Sequence, residues 1–188
     1  LGLEPLALDA HGKEAGSGLI FGRRQQGADR GGCRKPNPTP LVHFPIWNSN
    51  SPGPVYATLF VGILDPAARR LRYVNAGHHP QYVLRRTGGL DRMASTGMPV
   101  GLFAGRGYTE RQVQLEPGDV IFFYTDGCVE AEDAAGDMFG ADRLEALLMS
   151  SPVENPAQVL KRVEAGVTSF RGAVEPFDDE TMMAVRVG

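Results

Sequence analysis

The feature that most constrains the fold of this 188-residue chain is a short apolar run, Val120–Tyr124. The run contains β-branched and aromatic residues, and turn-forming pairs bound it on both sides: Pro117-Gly118 before it and Asp126-Gly127 after it. Such a run between turn signals is typical of a strand buried on both faces. Asp126 then follows a rigid element, which suits a metal ligand or a catalytic acid. An ordinary Asp-Gly hairpin turn is the alternative, and on this stretch alone it is the more common outcome.

The composition is that of an ordinary globular protein, with 42% apolar residues, 22% charged residues and a net charge of -3. These values favour neither nucleic acid nor a membrane surface as a partner, and we expect no membrane insertion. The two cysteines lie far apart and form no metal-type pair, so we expect a reduced, cytoplasmic setting. The length predicts one domain over residues 1–188. Because the chain starts at Leu1, we expect a longer protein that has room for an N-terminal sensor domain.

The first 54 residues carry weaker signals. Residues 6–8 are apolar and predict a short strand that ends at Asp9, although a turn former or a helix N-cap is the more common role for such a residue in isolation. Residues 15–21 predict a helix, which each of its glycines weakens by about 1 kcal/mol. Residues 23–54 are rich in proline, glycine and basic residues and predict a long irregular loop. Contact of this basic loop with a phosphate is the alternative to simple solvation.

From residue 55 onward the pattern predicts regular structure. Alternating or continuous apolar runs at 56–64, 70–75, 81–86, 111–115 and 120–124 predict an antiparallel meander of about five strands. Apolar residues at helical spacing predict a helix over residues 141–149 and a second helix that begins at Asn155-Pro156. Residues 182–187 predict a final strand. The helix faces expected in the core are Leu144, Leu147, Leu148, Val159, Leu160, Val163, Val167 and Phe170.

Three acids lie beside predicted strands although they are far apart in sequence. Asp9 and Asp126 each follow a strand, and Asp178 or Asp179 precedes the last one. No histidine or cysteine has metal-ligand spacing, and oxygen ligands without nitrogen or sulfur suit Mg²⁺ or Mn²⁺ rather than zinc. Such ions activate water and neutralise phosphoryl oxygens. Metal-assisted phosphate hydrolysis is therefore one hypothesis.

From about residue 56 to 187 the sequence resembles the bacterial PPM/PP2C-type serine/threonine phosphatases, in the branch of sporulation phosphatases and sigma-factor regulators. A weaker match extends to residues 6–22, where Asp9-Ala10-His11-Gly12-Lys13 is similar to an Asp-Val-Ser-Gly-His/Lys motif. The matching segments are Ala57-Thr58-Leu59-Phe60, Tyr73-Val74-Asn75-Ala76-Gly77-His78, Gly97-Met98-Pro99-Val100-Gly101, Leu115-Glu116-Pro117-Gly118-Asp119, Tyr124-Thr125-Asp126-Gly127, Glu130-Ala131, Phe139-Gly140 and Asp178-Asp179-Glu180-Thr181.

The resemblance implies an α+β fold, an αββα sandwich of two antiparallel sheets flanked by helices, with an incomplete N-terminal part here. It also implies a site for two Mn²⁺ or Mg²⁺ ions, in which Asp9, Asp126 and Asp178 supply carboxylates and Ala10 supplies its carbonyl. These acids would act in catalysis through metal-bound water. The Asn75–His78 turn and the Gly97–Gly101 loop would be structural, and the resemblance assigns His78 no catalytic role.

The implied activity is dephosphorylation of phosphoserine or phosphothreonine on a regulatory protein such as an anti-sigma-factor antagonist. The chain also departs from the family, because no early Gly-Asp-x-x-Asp segment precedes Asp9 and Glu14 replaces a usual glycine. A catalytically impaired module that binds such a partner without dephosphorylating it is therefore the alternative. A small-molecule phosphate hydrolase is a third hypothesis.

Overall fold

The computed structural model describes residues 16–23, 56–103, 107–151 and 155–188, with the backbone alone for 16–23. The predicted strand at residues 6–8, Asp9, Ala10 and nearly all of the predicted loop at residues 23–54 lie outside the described residues. These remain predictions.

The described elements form two four-stranded sheets and two α-helices, an α+β architecture as predicted. The strands are β1 Gly16–Arg23, β2 Ala57–Asp65, β3 Arg70–Ala76, β4 Gln81–Leu84, β5 Leu90–Met93, β6 Arg111–Gln114, β7 Val120–Tyr124 and β8 Met182–Arg186; the helices are α1 Gly140–Met149 and α2 Pro156–Arg171, and a single 3₁₀ turn spans Asp126–Cys128. The described residues divide into two compact units, one within Leu1–His78 and Ser95–Gln114, the other within His79–Ala94 and Leu115–Gly188.

The first unit contains the sheet with strand order β1-β2-β3-β6. Strands β2, β3 and β6 pair antiparallel, whereas β1 pairs parallel to β2. The helix predicted over residues 15–21 is therefore wrong, because residues 16–23 form a strand. Glycine weakens strands as well as helices, but pairing with eight residues of β2 stabilises the strand here. A small apolar cluster fills this unit: Leu59, Val61, Ala76, Val100 and the partly buried Tyr108.

The second unit contains the antiparallel sheet with strand order β5-β4-β7-β8, on which α1 and α2 pack. Strand β7 is central and all five of its residues are buried, as the sequence predicted. Alternate residues of a strand point to opposite faces, and Val120, Phe122 and Tyr124 join the helices in one apolar core. From the helices, that core takes Leu144, Leu148, Val159, Val163 and Val167, with Leu147, Leu160 and Phe170 packed against it.

The predicted start of α2 is confirmed, and α1 begins at Gly140, one residue before the predicted range. Asn155 has an extended backbone, its Oδ1 accepts a hydrogen bond from Ala157 N at 2.9 Å, and Pro156 opens α2. Such an N-cap satisfies one of the amide donors that a helix start leaves unpaired. The Tyr82 hydroxyl donates to Glu145 Oε1 at 2.8 Å and so attaches β4 to α1.

The predicted single meander is wrong. Strand β3 pairs with β6 rather than with β4, and β4 pairs with β5 and β7 in the other sheet. The tight turn after β3 redirects the chain, since Gly77 has a φ of 72° and Pro80 has no N–H to donate to a ladder. Strand β5 was not predicted.

Candidate functional site

The end of β7 leads directly into a helical turn that contains Asp126. Thr125 is extended, with φ −95° and ψ 164°, and Asp126–Cys128 then forms the 3₁₀ turn. The carbonyl of Asp126 accepts hydrogen bonds from Val129 N and Glu130 N, both at 2.9 Å. The segment is therefore not the Asp-Gly hairpin turn considered as the alternative. Asp126 is half-buried at the rim of the sheet.

The loop that precedes β8 is hydrogen-bonded to this turn through Thr125. Thr125 N donates to Thr181 O at 3.0 Å, and Thr181 N donates to Thr125 Oγ1 at 3.0 Å. Thr125 Oγ1 in turn donates to Asp179 O at 3.1 Å. The backbone segments that carry Asp126 and Asp178 are thus adjacent. We call residues 125–130 together with 178–181 the acidic turn pair.

Gly127 allows the two segments of the acidic turn pair to approach each other. A Cβ placed on Gly127 would lie 2.7 Å from the carbonyl oxygen of Asp179 and 3.5 Å from the carbonyl carbon of Asp178. Any side chain here would push the loop away. The glycine is therefore required for close approach.

The structure places the predicted site residues as follows. Asp178 and Asp179 are exposed, and Asp178 Oδ1 accepts a hydrogen bond from Asp179 N at 2.8 Å. Asp126 lies in the adjoining turn, while Asp9 and Ala10 lie outside the described residues. Among the described residues no group of three or more His, Cys, Asp or Glu is arranged to hold a metal ion.

The acidic turn pair contains a buried thiol, that of Cys128. Burial raises the pKa of Cys128 to about 12, with further contributions from the charges of Glu180 and Asp126. The thiol therefore stays neutral near pH 7 and is no nucleophile. Glu180 forms an ion pair with Arg171 in the last turn of α2, and both side chains are largely buried. This pair attaches the loop before β8 to the helix.

Gln81 fixes the end of β7 in a way that the sequence reasoning missed. The β4–β7 ladder ends at the pair Tyr82–Phe122, and its continuation would place Pro80, which lacks an N–H, opposite Tyr124. The fully buried Gln81 side chain takes over this position, since its Oε1 accepts from Tyr124 N at 2.8 Å and its Nε2 donates to Tyr124 O at 3.3 Å. A buried amide can satisfy a peptide group as another peptide does. A polar residue directly after a strand-breaking proline was the available signal.

His79 and Glu130 lie on the more exposed side of the same strand end. Nε2 of His79 is 3.8 Å from Oε1 of Glu130, and the His79 ring centroid is 6.2 Å from that of Tyr124. Both side chains are substantially exposed. The pair is therefore a weak surface contact.

The first unit contains a second pair of hydrogen-bonded turns, formed by residues 75–78 and 95–97, which we call the buried turn pair. Asn75 Oδ1 accepts from His78 N at 2.8 Å, and Asn75 O accepts from Thr96 N at 2.8 Å. Nδ1 of His78 lies 3.2 Å from Thr58 Oγ1. Asn75 and His78 are 0% and 3% exposed. The arrangement fits the structural role expected of these motifs.

Asp119, which precedes β7, is a structural acid. Its carboxylate accepts from Arg86 N and Glu116 N, both at 3.0 Å, and from Arg85 Nη1 at 2.7 Å, and its side chain is 3% exposed. Desolvation opposes the charged form, but these hydrogen bonds and the Arg85 charge outweigh it and lower the pKa of Asp119 below 3.8. The carboxylate therefore remains ionised.

A match to a known protein family covers most of the chain. The family model described as Stage II sporulation protein E (SpoIIE) matches residues 46–188. The chain belongs to the SpoIIE family. The predicted resemblance is thereby confirmed, and the matched range contains both units of the structure apart from β1.

Individual relatives of this SpoIIE-family chain agree with that assignment. Protein IcfG of Synechocystis sp. is 32% identical over 131 residues, which cover 70% of this chain and 20% of IcfG. The PP2C phosphatase domain of the cell fate determinant SpoIIE from Bacillus subtilis, solved with a fragment of its regulatory domain, has a TM-score of 0.58 at 17% identity; the match covers 67% of this chain and 36% of that one. The RsbU and RsbW domains of Rv1364c from Mycobacterium tuberculosis have a TM-score of 0.51 at 25% identity, over 69% and 35% of the two chains.

These matches establish a PP2C-type fold for the SpoIIE-family chain. The chain spans about a fifth of the length of IcfG and roughly a third of each of the two solved chains. Among the described residues, no helix is both long enough and apolar enough to cross a membrane.

Proposed function

We propose that this SpoIIE-family chain is a Mn²⁺- or Mg²⁺-dependent protein serine/threonine phosphatase. The observation that carries the proposal is the acidic turn pair, in which Asp126 follows a fully buried strand and its neighbour Thr125 is hydrogen-bonded to the loop that carries Asp178. Substrates would be phosphoserine or phosphothreonine residues on a regulatory protein such as an anti-sigma-factor antagonist. The resemblance set out above supports this substrate class.

The oxygen donors of the acidic turn pair suit a hard divalent cation. Asp126, Asp178 and Asp179 offer carboxylate oxygens at the rim of the sheet, where Asp126 is half-buried and the other two are exposed. A site with this local negative charge and with oxygen donors favours Mg²⁺ or Mn²⁺. Asp126 and Asp178 would hold the ions together with Asp9 and the carbonyl of Ala10, and two ions are expected from the family.

The chain's own residues would act mainly by orientation. Bound ions would activate water and neutralise charge on the phosphoryl group. Gln81 holds the backbone of Tyr124, and Thr125 is hydrogen-bonded to Thr181. Asp126 therefore directly follows a rigid strand end. Rigid support of this kind keeps a catalytic group within the small positional error that catalysis tolerates. The exposure of Asp178 and Asp179 leaves this rim open to a protein substrate.

A metal titration combined with an activity assay tests the proposal. The purified chain is incubated with Mn²⁺ or Mg²⁺ and a phosphoserine peptide, and released phosphate is measured against a small phosphate ester such as p-nitrophenyl phosphate. Peptide hydrolysis that saturates with metal and disappears with chelator supports a protein phosphatase. Hydrolysis of small esters alone would instead favour the small-molecule hydrolase, and binding of a phosphopeptide without release of phosphate would favour the impaired binding module.

A further inference from the structure

Thr125 connects the two halves of the acidic turn pair through its side chain. Its hydroxyl donates to Asp179 O at 3.1 Å and accepts from Thr181 N at 3.0 Å. Thr125 immediately precedes Asp126, and Asp179 immediately follows Asp178. The Thr125 hydroxyl therefore links the residue next to Asp126 with the residue next to Asp178.

Threonine suits this position chemically. A hydroxyl donates one hydrogen bond and accepts others, so it can satisfy the Asp179 carbonyl and the Thr181 amide together. A β-branched side chain has few χ1 rotamers, and the extended backbone of Thr125 is one that such residues favour. Both factors restrict where the hydroxyl lies. The loop at residues 178–181 is thereby held in register with the end of β7.

The contact at Gly127 adds an independent restraint on the same spacing. The Asp179 carbonyl is so close that a Cβ at Gly127 would meet its oxygen at 2.7 Å. The hydroxyl of Thr125 draws this carbonyl toward β7, and Gly127 provides the room for it. The distance between the two acidic segments is thus restrained on two sides.

We propose that Thr125 is a positioning residue that sets the spacing between Asp126 and Asp178 and, through it, the affinity for a divalent cation. The inference rests on the proposed metal-dependent function of these acids. Without the hydroxyl the loop at residues 178–181 loses two of its hydrogen bonds to β7, and ion binding must then order the loop. Loss of hydrogen bonding of this size corresponds to a dissociation constant for Mn²⁺ raised about tenfold.

The test compares Thr125→Val, which removes the hydroxyl at nearly constant shape, with Thr125→Ser, which retains it. Free Mn²⁺ is measured by electron paramagnetic resonance during titration, so the readout does not depend on activity. We expect Thr125→Val to bind Mn²⁺ about tenfold more weakly and Thr125→Ser to stay within about twofold of wild type. At saturating Mn²⁺, kcat of Thr125→Val should approach that of wild type. Thr168→Val, on the exposed side of α2, is the matched control and should bind as wild type does.

Two results would overturn the inference: wild-type Mn²⁺ affinity in a folded Thr125→Val, or an affinity of Thr125→Ser as weak as that of Thr125→Val. If Thr125→Val does not fold, Gly127→Ala displaces the same loop from the other side, and unchanged Mn²⁺ affinity in that variant would also overturn it. The proposed function is tested separately by Asp126→Asn. If that variant binds Mn²⁺ as wild type does, both proposals fail; if it loses binding while Thr125→Val does not, only the positioning role fails.

Discussion

The buried turn pair and the acidic turn pair are built by the same means but differ in what they leave exposed. Each follows a buried strand end, and in each a threonine hydroxyl accepts a hydrogen bond from the backbone of the other segment: Thr96 Oγ1 from Asn75 N at 3.0 Å, and Thr125 Oγ1 from Thr181 N at 3.0 Å. In the first pair Asn75 and His78 are buried, whereas Thr96 is partly buried and Ser95 is exposed. In the second, Asp126 is half-buried and Asp178 is exposed.

This difference separates a structural turn from a candidate functional one. Buried polar groups must find partners within the protein, as Asn75 and His78 do, and they then stabilise the fold. Carboxylates at a rim remain accessible to water, and there they can meet an ion or a substrate. Sequence motifs of similar prominence can therefore have different roles, and burial distinguishes them.

The largest expected effect is that of Asp126→Asn on activity. The substitution keeps the size of the side chain but removes its charge and replaces one acceptor oxygen with a donor amide. We expect Mn²⁺-dependent phosphatase activity to fall at least about a hundredfold, because each 1.36 kcal/mol of lost transition-state stabilisation is tenfold in rate. Steady-state kinetics at saturating metal measures this, with circular dichroism as the check on folding.

The matched control for that prediction is Asp137→Asn. Asp137 is exposed and lies in the loop after the 3₁₀ turn. The phosphatase activity of the variant should therefore stay within about twofold of wild type. Asp119 is unsuitable as a control, since it is buried and accepts several hydrogen bonds. Equal activity in Asp126→Asn and wild type would contradict the role assigned to Asp126.

The next largest effect is that of Asp119→Asn on stability. The substitution weakens charge-assisted hydrogen bonds from Arg85 and two backbone amides, and we expect the free energy of unfolding to fall by about 2 kcal/mol. Urea denaturation at pH 7 measures it. The folded pKa of Asp119 is lowered, so its stabilisation is present above the unfolded pKa and is lost as the pH falls through the folded pKa. The difference between variant and wild type should therefore shrink below about pH 3.8; a difference independent of pH would contradict the assignment.

Gly77→Ala should destabilise the buried turn pair without changing metal binding. Gly77 has a φ of 72°, and a Cβ there would lie 2.6 Å from the Pro99 ring. We expect a loss of about 1–2 kcal/mol in the free energy of unfolding, because both the backbone and the neighbouring ring resist the methyl group. Gly88→Ala is the control, since its φ of 88° is also positive but no atom lies within 4 Å. A loss of Mn²⁺ affinity in Gly77→Ala would break the contrast between the two turn pairs.

The smallest effect is that of Thr58→Val, which removes a hydroxyl beside the buried turn pair. The Thr58 hydroxyl lies 3.2 Å from Nδ1 of His78, and its loss should reduce the free energy of unfolding by about 1 kcal/mol. Thermal unfolding measures this, and Mn²⁺ titration should give the wild-type affinity. A variant that loses activity but not stability would contradict the purely structural role assigned to the contact between Thr58 and His78.

The sequence predicted the parts of the molecule that local patterns control. The buried run of β7, the capped start of α2 and the apolar faces of both helices follow from periodicity and from capping chemistry. The division of the strands between two sheets did not follow, because pairing partners are set by contacts between distant segments. The strand at residues 16–23 was mistaken for a helix for the same reason: its pairing with β2 lies outside any local window.

The candidate site was partly predictable. The positions of Asp126 and Asp178 beside strands were visible in the sequence, whereas the hydrogen bonds that join their segments were not. Gln81 and Thr125 act through side-chain hydrogen bonds with backbone groups 43 to 56 residues away. The periodicity of apolar residues along the sequence does not reveal such long-range contacts. The roles of Asp9 and Ala10 stay predictions.

The order of strands in the second sheet has a consequence for motion. In the described part of the chain β8 is an outer strand that pairs with no strand other than β7, so it can separate while the β5-β4-β7 ladder stays intact. Residues 178–181 lead directly into β8, and its separation would carry Asp178 away from Asp126. Partial opening of this kind requires less free energy than global unfolding. Backbone amides of β8 should therefore exchange with deuterium sooner than those of β7, and the rate at which an ion leaves the site would follow the opening of this one strand.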